Sequence, residues 1–365
     1  MSIKPLITIF LLFILSCTNH ESSSWGFSRF TKPAENPILK ADSTFIFNCP
    51  VQKKLVQWQK ADVFNPAAIV KDGKVYLLFR AEDNKAAAYA NRTSRIGLAV
   101  SDDGINFTKM PEPVLFPDTS VFKQYDYPGG CEDPRIVETE DGLYVLAYTS
   151  WNNKVARLTI AFSKDLLHWE KKGLAFAKAY NGKYFNTWSK SGSIVTKMVN
   201  DKPVAASING KYWMYWGEAF INLAWSENLV DWTPLVDKNG ELKQLVKTRK
   251  TMFDSKLTEC GPPAIITEEG IVLIYNGKND EGENTDPNLP KGTYTVGKVV
   301  FDPKNMEKVI SRSDNCILKP TLPHEVSGQY KSGTIFAEGL VKFKSKWFLY
   351  YGTADSFVGM AVSEN

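Results

Sequence analysis

The sequence predicts an all-β chain folded as a five-bladed β-propeller, and three observations carry that prediction. The chain repeats itself: "DGKVYLLFR" at 72–80 returns as "DGLYVLAYT", "NGKYWMYWG", "EGIVLIYNG" and "KSKWFLYYG", each a turn signal before a β-branched and aromatic run. Every copy is flanked by further strand-like runs. "NPAAIV", "EDPRIV", "SKSGSIV", "GPPAIIT" and "EGLVKF" come before; "IGLAVSDDGINF", "LTIAFSKDLLHW", "INLAWSENLVDW", a diverged "TYTVGKVVFDP" and "VGMAVSEN" come after. Helical periodicity is almost absent, and the copies recur every roughly sixty to seventy-five residues, as in propeller arrays. Five copies of a three- to four-strand meander can pack radially about an axis, with the first strand of each copy lining the channel.

Taken in order, residues 1–17 read as a signal segment. Lys4 supplies the basic start and Leu6 to Leu15 the apolar stretch, which is too short for the roughly twenty residues of a membrane span. Ser16-Cys17 resembles the end of a bacterial lipobox, in which Cys17 is acylated; the alternative is an ordinary cleaved signal. Either implies secretion across the inner membrane of a bacterium, and the lipobox implies a periplasmic or outer-membrane lipoprotein that meets the membrane only through that lipid. Residues 18–40 read as a tether and N-terminal extension, and 41–365 as a single propeller domain, since no linker or low-complexity segment interrupts the repeat.

Composition narrows the function. The chain is 43% hydrophobic and 13% aromatic, enough for a large core, and its net charge of +4 comes with no long basic run, so nucleic acid is not an expected partner. With only 3 histidines and no Cys/His ligand spacing, neither a metal nor an organic cofactor is expected. Beyond Cys17, the cysteines at 49, 131, 260 and 316 would permit two disulfides in an oxidising compartment, Cys131 with Cys260 being one conceivable pair.

The residues just before each inner strand fall at equivalent places at one end of the channel: Asn65, Glu132-Asp133, Lys190-Ser191, Glu259 and Glu338. A scaffold would repeat one capping residue. Unlike polar groups in each copy instead predict a pocket. The bland alternative for Asp133 is a pairing with Arg135, since alternate strand residues share a face. An exposed pair of that kind contributes only about 0–1 kcal/mol, little reason to place it in a channel. Of the 10 tryptophans, Trp169 and Trp232 recur at the same place in the repeat, as Phe107 does, and read as core. Trp151, Trp188, Trp216 and Trp225 lie near the predicted site strands and are the candidates for stacking on a ligand. "SDDGINF" resembles the Asp-box of sialidase propellers, but without a three-arginine set it reads as a turn. The polar insertion at 278–292 is either a wall of the acceptor subsite or an irregular crossing.

An ordered set of motifs, "FNPAA", "FRAED", "GCEDPR", "GPP", "LIYNG" and "YYGTADSFVGMAV", resembles glycoside hydrolase family 130 over nearly all of the chain after the signal. The resemblance implies a five-bladed propeller acting on β-mannosides, by phosphorolysis in most branches and by hydrolysis in a smaller one. It implies that Asp133 is the proton donor, acting through the 3-hydroxyl of the bound mannose. Asn65, Arg80 and Asp355 would hold the non-reducing mannose, and Glu132, Arg135 and Lys190 complete the expected substrate-binding set. Pro66 stands where many phosphorolytic members have Ser. Where those members place a phosphate-binding histidine this chain offers Glu218, and Glu259 adds a second anion; a carboxylate there repels phosphate but can deprotonate water. Lys190 and Arg157 favour phosphate instead, and Glu338 reads as a capping or substrate-contact residue. The expectation is therefore an exo-acting, inverting β-1,2-mannosidase-like hydrolase in which Asp133 is the acid and Glu218 or Glu259 the base. The alternatives are a β-mannoside phosphorylase taking inorganic phosphate as co-substrate and releasing mannose 1-phosphate, a propeller glycosidase of another family, and a non-catalytic glycan-binding lipoprotein.

Overall fold

The turn signals of the repeat make tight hairpins. Asp72-Gly73 joins Lys71 to its partner Lys74 with both φ angles positive, 50° and 71°, and Asn209-Gly210 joins Ile208 to Lys211 in the same way. Two positive-φ residues give the two-residue turn whose twist matches its flanking strands, which is why Asx-Gly is favoured there. Lys344-Ser345 makes the same turn between Phe343 and Lys346 without a glycine.

These hairpins extend into antiparallel meanders. The computed structural model describes residues 29–84 and 92–364, so the signal segment, the acylation of Cys17 and the start of the tether lie outside the described residues. Asp62–Lys71, Lys74–Glu82, Ser94–Ser101 and Thr108–Lys109 pair in sequence. Gly130–Glu138, Tyr144–Trp151, Ala156–Ser163 and Glu170–Leu174 repeat the pattern. A third meander runs through Ser193–Ile194, Lys211–Trp216, Asn222–Ser226 and Thr233–Pro234. A fourth runs from Leu257–Cys260 and Ile265–Thr267 through Gly270–Lys278 and Tyr294–Asp302 to Asn305–Arg312. The last, Ile335–Phe343, Lys346–Thr353 and Phe357–Glu364, takes its outer strand from the far end of the chain: Leu39–Lys40 pairs with Val358 and Phe357. Thr31 bridges Val362 as well, so this part of the N-terminal extension is bound into the sheet. The chain is nearly all β.

The core lies between meanders. Leu78 and Leu98 of the first pack with Ile136, Leu146 and Tyr148 of the second, and Val145 and Ile160 pack with Met214, Ala224 and Trp232 of the third. Tyr215 and Leu223 pack with Leu273, Tyr275 and Phe301 of the fourth; Val272 and Ile274 pack with Leu340, Leu349 and Ala361 of the last. Leu77 and Phe79 of the first then meet Val341, Phe348 and Tyr350 of the last. Each meander thus buries one face on the next, and the apolar alternation of its strands is what makes both faces available.

Several sequence expectations are decided here. Trp232 is core and Trp169 packs at the edge of it, and each indole N–H donates to the carbonyl of the residue three before it, Leu229 and Leu166. Ser101 and Asp103 accept hydrogen bonds from the backbone of 103–106, and Ser163 with Asp165 does the same for 165–168, so "SDDGINF" is a turn. No disulfide forms among the described cysteines, contrary to the Cys131–Cys260 expectation: Cys131 and Cys260 are buried in different apolar clusters.

Candidate active site

The inner strands leave their ladders where the predicted site residues occur. Register shifts fall between Phe64 and Pro66, Glu132 and Arg135, and Ala337 and Gly339. Asn65 and Asp133 sit at φ 49° and 48°, Ser191 at 56° and Asp355 at 48°. Left-handed backbone is unfavourable for residues with a Cβ and clusters where a side chain must be aimed. Here it accompanies the turning of the Asn65, Asp133 and Asp355 side chains into one cavity of about 310 Å³, within the range of ligand pockets, while Ser191 donates to the lining residue Glu259. Asn65, Arg80, Glu132, Asp133, Lys190, Glu218, Glu259 and Asp355 all line it.

Asp133 is heavily partnered there. Its Oδ1 accepts from Asn65 Nδ2 at 2.8 Å and Arg80 Nη1 at 3.1 Å, and Lys190 Nζ lies 3.6 Å from Oδ2. Burial pushes its carboxyl up, but the charges of Arg80, Lys190 and Arg135 and the Asn65 hydrogen bond outweigh burial and hold it well below the usual carboxylate range. Arg80 is nearly saturated: Nε donates to Ser94 Oγ at 3.0 Å, and Nη2 to Glu82 Oε1 at 2.7 Å and Glu132 Oε1 at 2.8 Å. Of the five guanidinium N–H groups, one on Nη1 is left for a sugar hydroxyl.

The other carboxyls are pushed the opposite way. Glu132 rises to about 7, mainly by burial against the opposing charge of Arg80. Glu259, 3% exposed and accepting from Ser191 Oγ, also rises to about 7, through burial first and the Glu218 charge second. Asp355 rises to about 6, again mainly by burial. Glu218 is half-buried, and Trp188 Nε1 donates to its Oε2 at 2.7 Å. Lys190 is raised above the ordinary lysine range because Glu218, Asp133, Glu259 and Glu132 outweigh its burial. Carboxyls forced apart in protonation within one cavity are the arrangement that acid–base chemistry uses.

Four expectations need correction. Arg135 is 1% exposed and not among the lining residues, its guanidinium donating to main-chain carbonyls rather than facing the cavity as a substrate-binding role requires. Arg157 is turned away from the cavity: Nη2 donates to Asn186 Oδ1 and the guanidinium lies over Tyr125 and Phe185. Of the stacking candidates, Trp151 and the 51%-exposed Trp188 line the cavity with ring centroids 5.6 Å apart. Trp216 is core instead, and Trp225 lies outside the cavity under Lys211. The 278–292 segment is ordered around Asn279, whose Nδ2 donates to the carbonyls of Asp286, Leu289 and Pro290, and contributes no lining residue. Its end, Lys278, lies over Tyr294 and Tyr330, which do line the cavity. Tyr294, Tyr330, Gln329 and Arg92 were not anticipated; they lie outside the strand-start ring that the repeat reveals. Among the described residues, no group of three or more His, Cys, Asp or Glu could hold a metal ion.

Known proteins match this chain over nearly its whole length. A 1,2-β-oligomannan phosphorylase of Thermoanaerobacter sp. (strain X514) is 31% identical over 312 residues, 84% of this chain and 92% of that one. The crystal structure of a glycosyl hydrolase from Bacteroides ovatus shares 48% identity and superposes with a TM-score of 0.91 over 93% of this chain and 94% of that one. A further structure at 48% identity and TM-score 0.91, covering 93% and 95% of the two chains, is described with a family of mannoside phosphorylases containing glycoside hydrolases that target β-1,2 mannosidic linkages in Candida mannan. The family model described as beta-1,4-mannooligosaccharide phosphorylase matches residues 29–365, and the chain belongs to this family, glycoside hydrolase family 130, whose enzymes act on β-mannosides, mostly as phosphorylases and some as hydrolases.

Proposed function

We propose that the protein is an exo-acting, inverting β-mannoside hydrolase of the β-1,2-mannosidase kind, built as a five-bladed propeller whose blades are the meanders at 62–109, 130–174, 193–234, 257–312 and 335–364 with 39–40. The observation that carries the hydrolytic assignment is the charge of the cavity. Glu82, Glu132, Asp133, Glu218, Glu259 and Asp355 line it against Arg80, Arg92 and Lys190. Arg92 is paired with Asp62 and Glu82, Arg80 with three carboxylates, and Lys190 with Asp133. Even with Glu132 and Glu259 protonated at their pKa of about 7 and Asp355 at about 6, the remaining anions cancel the cations. No net positive field is left to draw in a phosphate dianion.

In this assignment Asn65, Arg80 and Asp355 hold the non-reducing mannose, with Glu132 beside them. Asp133, ionised in the empty site, takes a proton from solvent as substrate binds and displaces part of its cationic shell; it then gives that proton to the sugar's 3-hydroxyl oxygen while the hydroxyl's own proton passes to the leaving oxygen. Glu218 or Glu259 receives the proton of the attacking water, and Glu259, poised near 7, is matched to that task. Trp151 and Trp188 form the apolar wall beside Glu218. Phosphorolysis is the second reading, favoured by Lys190 in the cavity and by similarity to the 1,2-β-oligomannan phosphorylase of Thermoanaerobacter. Inversion is tested by ¹H NMR on a methyl β-1,2-mannobioside, whose reducing end is locked. The first mannose to appear should be the α-anomer, and initial β-mannose would sink the inverting assignment.

A further inference from the structure

Arg135 is among the largest side chains that the fold buries completely, and it does not itself line the cavity. Burying a guanidinium costs several kcal/mol unless its donors are met, so its partners are informative. Nη1 donates to the main-chain carbonyl of Asp133 at 3.0 Å, Nη2 to that of Cys260 at 2.9 Å and Nε to that of Gly261 at 3.3 Å. Nη1 also lies 3.0 Å from Glu338 Oε1, and the guanidinium carbon sits 5.7 Å from the centre of the Phe336 ring. These partners belong to the inner strands of the second, fourth and last meanders. The bulge between Glu132 and Arg135 takes the Asp133 carbonyl out of the ladder, and the bulge between Ala337 and Gly339 falls at Glu338, whose carboxylate faces Arg135. Glu338 is fully buried, and apart from this ion pair neither of its carboxyl oxygens has a hydrogen-bond partner.

The two carbonyls that Arg135 joins are not arbitrary. One belongs to Asp133 itself, and the other to Cys260, the residue directly after Glu259. We infer that Arg135 is a positioning residue that fixes the separation between the Asp133 acid and the Glu259 carboxyl, with Glu338 anchoring its guanidinium from the opposite strand. The inference rests on the hydrolytic site proposed above, and it gives the arginine of the "EDPR" motif a function with no contact to sugar. A guanidinium has donors spread over a rigid plane, whereas lysine has three on a single atom and cannot reproduce the planar fork that reaches three carbonyls and Glu338 together.

The test is steady-state kinetics on β-1,2-mannobiose with Arg135→Lys. Misplacing reacting groups by about 1 Å costs up to roughly 100-fold in rate, so kcat should fall by about 10- to 100-fold. KM should stay within about threefold, since no sugar contact is lost. A raised KM at unchanged kcat would make Arg135 a substrate contact and overturn the inference, as would wild-type kinetics. If Arg135→Lys does not fold, Glu338→Leu carries the test, because it leaves the carbonyl bonds and removes only the anchor. It should lower kcat at unchanged KM, and Glu338→Gln, which keeps an acceptor facing Arg135, should restore it. A lower unfolding temperature with wild-type kcat in Glu338→Leu would show a purely structural role and count against the inference. Asp133→Asn separates the two levels: retained turnover there would remove the acid assignment itself. Loss of turnover in Asp133→Asn beside wild-type kinetics in Arg135→Lys would remove the positioning role alone.

Discussion

Glu259 shows how much of the chemistry is set by surroundings and how little by residue type. Burial lifts its carboxyl from an ordinary 4.5 to about 7, with the Glu218 charge adding to burial and Lys190 opposing. A carboxyl raised in this way binds its proton more tightly in the folded state than in the unfolded one. Its stabilising contribution is complete below about pH 4.5 and is lost as pH rises through about 7. Thermal unfolding measured across that window should therefore show a midpoint that falls with rising pH, less steeply in Glu259→Gln than in the wild type. An unchanged slope would contradict the burial-driven shift. Asn65, Asp133 and Glu259 were legible in the sequence as site candidates, because the repeat aligns their positions and the alignment exposes what a scaffold would not need; Glu218 lies outside that ring and was singled out only by the family resemblance. The role of Arg135 was not. Strand alternation puts residues two apart on one face only in a regular ladder, and the bulge at Asp133 breaks that regularity, sending the carboxylate into the cavity and the guanidinium beneath it.

Among the elements, the bulged inner strands and the hairpins behind them depend on very close backbone approach. Gly352, in the strand Lys346–Thr353, faces Asn65 so tightly that an added Cβ would lie 1.9 Å from Asn65 Oδ1 and 2.8 Å from its backbone nitrogen. Gly352→Ala should push Asn65 off the Asp133 carboxylate while leaving the hairpin paired. Overpacking of this kind costs about 1–3 kcal/mol. Expressed at the transition state, it predicts a fall in kcat/KM of roughly 10- to 100-fold on β-1,2-mannobiose. Wild-type kcat/KM would mean that Asn65 is not needed where the structure places it. Turns and strands were readable from Asx-Gly pairs and β-branched runs, since those signals are local. Tyr294 and Tyr330 were not, because they reach the cavity from outside the repeated strand starts. The 278–292 segment stayed open between a wall and a crossing because polarity marks a loop without saying where the loop folds; Asn279 ties it to itself.

Over the whole molecule, the repeat predicted the succession of meanders, and the shared clusters show what it is for: each meander completes its core only against its neighbours. The pairing of Leu39–Lys40 with Phe357–Glu364 joins the two ends of the described chain, a contact between residues more than 300 apart that no local pattern announces. Nor could a net charge of +4 reveal that the one cavity gathering the site residues has no cationic excess. In the proposed assignment that local balance favours water over phosphate as the nucleophile. The most direct test is to incubate the protein with β-1,2-mannobiose with and without inorganic phosphate, and to measure mannose and mannose 1-phosphate. Mannose formed at the same rate in both reactions is the expected result. Mannose 1-phosphate formed only when phosphate is present would contradict the hydrolytic assignment and make Lys190 the centre of a phosphate site.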